Sequence, residues 1–445
     1  MQTDRTTPGG SEPTDEARVA GAGGAPSVGE ILRRGVRRVL PPSGTIEEAV
    51  KRVFAPHLGE DGEAPLWRQW QGTVRLLRPL GKVSRGNSVC LMSDGDDVFE
   101  AMWSAIEGAQ RRVFFTTYIL VDDRVGRRFR DLLAAAAERG VEVSLVLDSY
   151  GSGDLTEAFL EPLKEAGSDV VWFNPMLRFR TRFSRLVRNH RKILVVDEAI
   201  AFCGGMNASE DYAGERHGNG VFRDAHLALR GPCARDLGDL HRATILQMRS
   251  KPPARFKRPE NQAEDLLVEV LQSNIRRDQR AIQKALHLTV VRAVERCYLT
   301  SPYFVPPAKL LRDLADAAKR GVDVRILTAG VSDVPAVTLA SHHLYGKLLR
   351  AGVRIFEMQS RTLHAKTATI DGLFATVGSF NLDFISFRRN LEVTVATLDP
   401  RTAMEVEELF LADLGLSEEV FLESWKKRGT WERFRDWVAY RLLSL

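Results

Sequence analysis

Two stretches of the chain carry the same residue types at the same spacing, and these residue types suit chemistry at phosphorus. Residues 190–207 and 364–381 both read H-x-K-x4-D-x6-G-[GS]-x-N. The H-x-K-x4-D part alone is expected by chance at roughly 10⁻⁴ per start position, so two copies with the same trailing residues indicate a duplicated functional unit. The predicted catalytic residues are His190, Lys192, Asp197, His364, Lys366 and Asp371.

Transfer at phosphorus needs a nucleophile, an acid for the leaving oxygen and positive charge near the phosphoryl oxygens. Two motifs brought together across a pseudo-two-fold axis supply two imidazoles and two ammonium groups. One histidine could form a phosphohistidine, while the other protonates the leaving alkoxide and then deprotonates the incoming hydroxyl. We therefore expect His190 and His364 to flank one phosphorus atom, with about 5–8 Å between the rings. Besides the lysines, the expected phosphate-binding residues are Asn207, Ser379 and Asn381.

A nucleophilic histidine needs a carboxylate on its second ring nitrogen to fix its tautomer. Asp224 and Glu392, which lie downstream of the first and second motifs, are the expected histidine-orienting residues. Asp197 and Asp371 each follow an expected strand at a turn, so a structural role is as plausible for them as a catalytic one. No carboxylate cluster indicates a divalent metal, and two lysines already supply the charge that a metal would supply. We therefore expect no metal and no other cofactor.

Each motif ends a longer repeat of strands and helices that must position it. The segments VFFTTYILVDD, FRDLLAAAAERGVEVSLVLD and FLEPLKEAGSDVVWF precede the first motif, and CYLTSPYFVPP, LRDLADAAKRGVDVRILTAG and LYGKLLRAGVRIFEM precede the second. The short apolar runs that follow the helices are typical of buried strands. The alternation predicts an α/β fold, with helices on both faces of a largely parallel sheet.

The composition is ordinary for a globular protein, with 44% hydrophobic and 27% charged residues. The net charge is only +5, so local basic clusters matter more than the field of the whole molecule. No window of about 18 apolar residues predicts a transmembrane helix, and the N-terminus lacks the apolar region of a secretory signal. The four cysteines show no C-x-x-C spacing, so we expect buried free thiols and a reducing compartment.

Three segments combine basic charge with apolar or aromatic residues. Residues 27–40 fit a basic amphipathic helix, which could lie on an anionic membrane or dock on the protein. A run of arginines at 178–192 leads into the first motif and could bind nucleic-acid phosphates or anionic lipid headgroups. The region around 431–437 is aromatic and basic, which suits either a membrane interface or docking on the core.

The domain boundaries follow from these segments and from a Pro- and charge-rich stretch between the repeats. The predicted divisions are a disordered tail at 1–26, the basic amphipathic helix and lead-in at 27–85, the first repeat domain at 86–249, the linker at 250–264, the second repeat domain at 265–424 and the aromatic, basic C-terminal helix at 425–445.

The paired motifs resemble those of the phospholipase D superfamily, over roughly residues 86–395. Within it, GNSVCLMSDGDDVFEAMWSAI, SPYFVPP, LHAKTATIDG and GSFNLDFISFRRNLEV are similar to bacterial cardiolipin synthases, and the lack of predicted transmembrane helices resembles their B-type branch. The resemblance implies two repeated α/β/α phospholipase D-like domains with pseudo-two-fold symmetry and one active site at their interface. It also implies that His190 is the nucleophile and His364 the general acid/base. Gly205 stands where many members of the superfamily have Ser, although synthases often carry Gly there, and Ile385 occupies a position that is Arg in many synthases.

This resemblance implies a cardiolipin synthase, which would transfer a phosphatidyl group from one phosphatidylglycerol to another and release glycerol. The alternatives are a phospholipase D or other phosphodiesterase, such as a nuclease, with water as acceptor, and a non-catalytic membrane- or nucleic-acid-binding protein. Intact His–Lys pairs in both halves argue against the last. We expect an anionic phospholipid membrane as the partner, no nucleic acid, and peripheral attachment to the cytoplasmic face of the bacterial cell membrane. The sequence predicts no particular oligomeric state.

Overall fold

The computed structural model describes residues 65–175, 184, 186–248, 266–274 and 280–444. The predicted tail at 1–26, the basic helix at 27–40, the linker at 250–264 and residues 178–183 and 185 of the arginine run lie outside the described residues. All four cysteines are free thiols, and three of them are buried, as predicted. Within the described ranges, no helix has the length and apolar character needed to cross a membrane.

The described chain consists of two similar series of strands and helices. The first half contains α1 (Pro65–Leu77), β1 (Lys82–Met92), α2 (Gly95–Glu107), β2 (Arg112–Thr117), α3 (Arg124–Glu138), β3 (Glu142–Asp148), α4 (Glu157–Glu165), β4 (Asp169–Phe173), β5 (Ile193–Val196), β6 (Ile200–Gly204), β7 (Phe222–Arg223), β8 (His226–Arg230) and α5 (Pro232–Met248). The second half contains β9 (Leu266–Ser273), α6 (Ala281–Arg292), β10 (Arg296–Thr300), α7 (Ala308–Lys319), β11 (Asp323–Ala329), α8 (Pro335–Arg350), β12 (Arg354–Met358), β13 (Thr362–Leu363), β14 (Thr367–Ile370), β15 (Phe374–Gly378), α9 (Phe384–Arg388), β16 (Glu392–Leu398), α10 (Pro400–Leu414), β17 (Ser417–Val420), α11 (Leu422–Lys426) and α12 (Thr430–Ser444).

One sheet of 15 strands joins the two halves, in the order β17-β12-β11-β10-β14-β15-β16-β9-β1-β8-β6-β5-β2-β3-β4. Outward from the antiparallel pair β9–β1, each half repeats the same order, and β17 extends one edge. This arrangement gives the pseudo-two-fold relation that the duplicated sequence implies.

The prediction of a largely parallel sheet is wrong for the strands around the motifs. Among the described strands of this sheet, only β2, β3 and β4, and likewise β10, β11 and β12, pair in parallel. The motif strands β5, β6 and β8, and their counterparts β14, β15 and β16, are antiparallel to their neighbours. The physical reason is that tight connections, rather than crossover helices, join β5 to β6 and β14 to β15, and a tight connection can only reverse the chain.

Helices cover both faces of the sheet and form three layers with it. On one face, α2, α3 and α4 bury apolar residues such as Phe99, Phe129 and Leu160 against the first half of the sheet. The same face of the second half is covered by α6, α7 and α8. On the opposite face, α5 and α10 share one core, which contains Leu237 of the first half and Phe410 of the second. The two halves are therefore joined both by sheet pairing and by a common core.

The C-terminal helix docks on the second half through one face only. The ring of Tyr440 on α12 stacks on His343 of α8, with 4.8 Å between the ring centroids. Asp436 is buried and accepts hydrogen bonds from Arg428 at 2.8 Å and Arg435 at 3.3 Å. The outward face carries a row of aromatic residues whose exposed fractions are 72% for Trp431, 52% for Phe434 and 43% for Trp437. Docking on the protein thus leaves an apolar face of the same helix in contact with solvent.

Candidate active site

The two His–Lys pairs lie at one edge of the sheet, immediately before β5 and β14. In the antiparallel pair β2–β5, Ile193 lies opposite Thr116, and in the pair β10–β14, Thr367 lies opposite Thr300. The pairs are therefore beside the carboxyl ends of β2 and β10, where α/β proteins commonly place their ligand sites. All four side chains are buried.

Short backbone bridges between the halves hold the two histidine segments. The N–H of His190 donates to the carbonyl of Leu391 at 2.9 Å, next to the parallel bridge between Asn189 and Leu391. Similarly, β13 pairs with β7, and the N–H of His364 donates to the carbonyl of Arg223 at 2.7 Å. Each histidine is thus attached to the segment that leads to the carboxylate of the opposite half.

The histidine-orienting carboxylates are exchanged between the halves. Nδ1 of His190 lies 3.1 Å from Oε2 of Glu392, and Nδ1 of His364 lies 2.6 Å from Oδ2 of Asp224. Proximity in the sequence would pair each carboxylate with the motif that precedes it, but the bridges described above bring it to the other motif. This exchange fixes the tautomer of each ring and leaves Nε2 as the nitrogen available for chemistry.

The two carboxylates differ in how many other donors they bind. Besides the imidazole of His190, Glu392 accepts hydrogen bonds from the hydroxyl of Ser379 at 2.5 Å, the hydroxyl of Ser386 at 3.0 Å and the amide of Asn390 at 3.2 Å. Asp224 accepts, besides the imidazole of His364, only the backbone N–H of Ala225 at 2.7 Å among the hydrogen bonds that the structure records. Among these recorded hydrogen bonds, His364 is thus the side-chain donor to Asp224, whose charge also acts on Lys366.

Both lysines are buried beside the histidines of their own motifs. Nζ of Lys192 donates to the carbonyl of His190 at 2.9 Å and lies 5.1 Å from the ring centroid of Tyr118. Nζ of Lys366 donates to the carbonyl of His364. An ammonium group has three donors, so each lysine keeps donors that a phosphoryl oxygen could accept.

Burial makes the protonation of these groups sensitive to their neighbours. Burial lowers the pKa of Lys192 to about 7 and that of Lys366 to about 8. The charge of Glu392 opposes the shift of Lys192, and the charges of Asp224 and Glu392 oppose that of Lys366. The pKa of each imidazole is also lowered, chiefly by burial. A phosphodiester monoanion adds a negative charge among these groups, which raises the pKa of every cationic group around it.

Both carboxylates stay ionised, although burial acts in the opposite direction. Burial alone would raise the pKa of Asp224, but the charges of His364 and Lys366 outweigh it and hold this pKa below its usual value. For Glu392, His190 and Lys192 likewise outweigh burial and lower the pKa. Each carboxylate can therefore stabilise the imidazolium form of its partner.

The predicted phosphate-binding residues occupy different environments. Asn207 lies at the site, where its amide donates to the hydroxyl of Tyr212 at 2.7 Å. Asn381 is buried, and its Oδ1 has no hydrogen-bond partner within the described part of the chain. The prediction for Ser379 does not fit, because its single hydroxyl proton is donated to Glu392 and its oxygen accepts the N–H of Val393 at 3.1 Å. Ser379 therefore positions a carboxylate.

The catalytic prediction for Asp197 and Asp371 does not fit the structure either. Each lies after its four-residue strand, at the opposite end from the lysine, which corresponds to about 17 Å along the chain. Asp197 accepts the backbone N–H groups of residues 110, 111 and 112 at 2.8–2.9 Å. Asp371 accepts those of residues 294, 295 and 296 and the indole N–H of Trp70 at 3.0 Å. Their role is to hold the turns that lead into β2 and β10.

Two tyrosines at the site were not predicted from the sequence. The ring of Tyr118 contacts the imidazole of His190 edge-on, with 5.0 Å between centroids. The ring of Tyr212 contacts that of His364 at 5.2 Å, and its hydroxyl lies 3.5 Å from Nε2 of His364. Tyr212 comes from the first half but covers the histidine of the second. Its spacing of five residues after Asn207 was the available signal, but the matching position after Asn381 is Ser386, so the repeat did not reveal it.

No group of three or more His, Cys, Asp or Glu side chains in the described ranges is arranged to hold a metal ion. The expectation that the reaction needs no metal stays a prediction. The charge that stabilises a phosphoryl group at this site is available from Lys192 and Lys366.

Comparison with known proteins agrees with this geometry. A family model described as "Cardiolipin synthase, PLD-like domain" matches residues 102–227 and 289–414, one match for each half. The chain belongs to this phospholipase D-like family. It is accordingly an enzyme of the phospholipase D type, a phosphatidyltransferase. Each family match contains one motif, which agrees with a duplicated unit that shares one site.

Relatives from several bacteria are similar over most of the chain. A cardiolipin synthase A from Pseudomonas aeruginosa is 36% identical over 80% of this chain and 74% of the relative. A cardiolipin synthase B from Salmonella typhimurium is 32% identical over 80% of this chain and 88% of the relative. Relatives of both types match at similar identity, so the B-type branch stays a prediction. The crystal structure of phosphatidylserine synthase from Haemophilus influenzae has the same fold, with a TM-score of 0.62 at 12% identity over 84% of this chain and 99% of that one.

We expect the substitution Asp371→Ala to act through stability. It removes the acceptor of three backbone N–H groups and one indole N–H, so the free energy of unfolding should fall by about 3 kcal/mol or more. Denaturant unfolding measures this change. Asp316→Ala, at an exposed position on α7, is the matched control and should change the free energy of unfolding by less than about 0.5 kcal/mol. Unchanged stability together with lost turnover would contradict the structural role.

We expect Gly205→Ser to impair catalysis by displacing Asp224. A Cβ at Gly205 would lie 2.2 Å from Oδ1 and 2.6 Å from Oδ2 of Asp224, so the carboxylate must move away from His364. A displacement of about 1 Å at a catalytic group can cost about a hundredfold in rate, and kcat should fall by that order.

The control for this prediction is Gly72→Ser, because a Cβ at Gly72 meets no atom within 4 Å. The double substitution Gly205→Ser with Asp224→Glu copies the Ser379–Glu392 pair of the second half, and we expect it to recover part of the lost turnover. Full activity of the Gly205→Ser variant would show that Asp224 does not need its observed position.

Proposed function

We propose that this chain is a cardiolipin synthase that transfers a phosphatidyl group from one phosphatidylglycerol to a second one and releases glycerol. The observation that carries the proposal is the exchanged pairing His190–Glu392 and His364–Asp224, which brings two oriented imidazoles and two buried lysines into one site. The names of the relatives of both types favour lipid transfer over hydrolysis by water.

The first step forms a covalent intermediate. Nε2 of neutral His190 attacks phosphorus, the bond from phosphorus to the glycerol oxygen breaks, and His364 gives its proton to that oxygen. Glycerol leaves, and the phosphatidyl group remains on His190. Lys192 and Lys366 donate to the phosphoryl oxygens, whose charge increases in the transition state.

The second step reverses these roles with a new alcohol. A headgroup hydroxyl of a second phosphatidylglycerol gives its proton to His364 while its oxygen attacks phosphorus. The bond from phosphorus to Nε2 of His190 breaks, and cardiolipin and neutral His190 result. Each bond to phosphorus that forms replaces one that breaks, and His364 regains in the second step the proton that it gave in the first. No other reactant is therefore needed.

The unequal surroundings of the carboxylates support this order of roles. Burial lowers the pKa of His364, and the charge of Asp224, which has few other donors, opposes this shift and so favours the imidazolium form that the general acid needs. Glu392 shares its charge with three further side-chain donors, which suits a histidine that must be neutral to attack.

Incubation of the purified protein with phosphatidylglycerol vesicles, followed by lipid mass spectrometry, tests this function. We expect cardiolipin and free glycerol in equal amounts, whereas phosphatidic acid would identify a phospholipase D. His190→Ala and His364→Ala should each lower turnover by about three orders of magnitude or more. His287→Ala is the matched control, because His287 pairs with Asp313 on the helices α6 and α7. A phosphatidyl adduct trapped on His364 rather than on His190 would reverse the assigned roles.

We also propose that the enzyme binds the membrane peripherally and that α12 contributes to this binding. The row formed by Trp431, Phe434 and Trp437 is exposed, with about 6 Å between neighbouring rings. Aromatic side chains next to arginines suit the boundary between headgroups and acyl chains of an anionic bilayer.

Replacing all three aromatic residues of this row with alanine should weaken binding to phosphatidylglycerol vesicles by about tenfold or more, because partial burial of three rings contributes at least 1–2 kcal/mol. Vesicle co-sedimentation measures the binding. The control is Met404→Ala with Leu411→Ala on α10, which removes exposed apolar residues elsewhere. Unchanged vesicle binding of the triple variant would exclude this row from the membrane contact.

A further inference from the structure

The two halves differ in the polar groups that surround their histidines. Aligning the repeats places Tyr303 at the position of Ile119 and Asp383 at the position of Ser209. Asp333, in the loop after β11, adds a carboxylate to the same side. The second half therefore carries hydroxyl and carboxylate groups whose two acidic members act on Lys366 of its own motif. In the first half, the position that matches Tyr303 is the apolar Ile119.

Backbone pairing brings two of these residues close together at the site. The N–H of Val305 donates to the carbonyl of Leu382 at 2.8 Å, and Phe304 and Leu382 form a parallel bridge. Tyr303 and Asp383 are the chain neighbours of this bridged pair. Leu382 also directly follows Asn381 of the second motif, so the bridge anchors both residues to the catalytic segment.

The side chains of this group are already arranged to bind polar partners. The hydroxyl of Tyr303 lies 2.7 Å from both carboxylate oxygens of Asp333. Asp383 begins α9, where its Oδ1 accepts the N–H of Ser386 at 2.8 Å, and its carboxyl group is buried. Burial raises the pKa of Asp383 to about 6. Both carboxylates act on the buried ammonium of Lys366, whose pKa burial lowers and their charges help to raise.

A cluster of one phenol and two carboxyl groups is suited to binding alcohols that carry several hydroxyls. A carboxylate accepts hydrogen bonds from neighbouring hydroxyls with the extra strength of a charged acceptor. The phenol of Tyr303 donates its proton to Asp333, so its oxygen can accept a hydrogen bond from a substrate hydroxyl. A site that binds a substrate hydroxyl in this way discriminates against an alcohol that lacks it, because its own polar groups are then left unpaired.

We propose that Tyr303, Asp333 and Asp383 form a subsite for the hydroxyl groups of a glycerol-type alcohol, both when it leaves and when it attacks. The inference rests on the proposed function. It places the alcohol next to His364, whose imidazole gives a proton to the leaving oxygen and takes one from the attacking oxygen. The phosphatidyl group then stays on the opposite side, on His190, as in-line displacement requires.

Competition between two alcohols tests the subsite. The enzyme is incubated with phosphatidylglycerol vesicles, deuterium-labelled glycerol and 1-propanol, and the ratio of labelled phosphatidylglycerol to phosphatidylpropanol is measured. The wild type should prefer the triol. Tyr303→Phe, Asp333→Asn and Asp383→Asn should each lower the ratio by about ten- to a hundredfold, the effect of losing a hydrogen bond to a charged group. Asparagine keeps an oxygen that can still cap α9.

The controls are Tyr440→Phe on α12 and Asp122→Asn in the exposed loop before α3. Both should leave the ratio unchanged. Because the ratio does not depend on how much enzyme is folded, a destabilised variant is still informative. If all three variants form labelled phosphatidylglycerol and phosphatidylpropanol in the same ratio as the wild type, the subsite is overturned while the proposed function stands. Absence of both products from the wild type would overturn the proposed function, and the subsite with it.

Discussion

The exchange of carboxylates between the halves is the constraint on which the rest of the structure depends. An imidazole that reacts through Nε2 needs an acceptor on Nδ1, and in each half that acceptor belongs to the other half. Neither half alone therefore contains a correctly oriented histidine. The pairing of β1 with β9 and the core shared by α5 and α10 hold the halves in one fixed relation, which the short distances at the site require.

The same site places several charges where water cannot reach them. Two lysines, two carboxylates and the guanidinium of Arg191 are buried together, and Arg191 donates to Thr244 at 3.1 Å and to Gln272 at 3.2 Å. Burying such charges costs stability unless each one is paired. In return, the lysines need little reorganisation when a phosphodiester arrives, which is the arrangement that stabilises a developing charge most effectively. The cost of burying a charge is reflected in the pKa of Lys192, which burial lowers to about 7.

Much of this arrangement could be predicted from the sequence because it follows from repetition and spacing. The duplicated motif indicated the halves and the His–Lys pairs, and the alternating pattern indicated strands and helices. Residues whose role depends on the other half could not be assigned in this way. Asp224 and Glu392 were identifiable as carboxylates, but their partners are set by the bridges of β7 with β13 and of Asn189 with Leu391.

Matching the two repeats also conceals functions that differ between the halves. Asp197 and Asp371 recur at the same turn in both halves, which holds them at a positive φ of 53° and 55°, at the end of the strand away from the lysine. Tyr212, by contrast, has no tyrosine counterpart, although its hydroxyl lies near Nε2 of His364. Comparison of the two repeats therefore identified residues that both halves need. It did not identify residues, such as Tyr212, that contact only one of the two histidines.

The asymmetry of the carboxylates follows from packing as much as from chemistry. The short side chain of Asp224 occupies the space that a Cβ at Gly205 would need, whereas the longer Glu392 accepts the hydroxyl of Ser379 at the matching position. Each residue pair is compatible only as a unit: a serine beside Asp224 collides with it, and a glycine in place of Ser379 deprives Glu392 of a donor. In this chain the two halves differ at both positions of the pair. Once they have diverged, the two imidazoles experience different charges, and a two-step transfer needs one of them to attack while the other carries the proton.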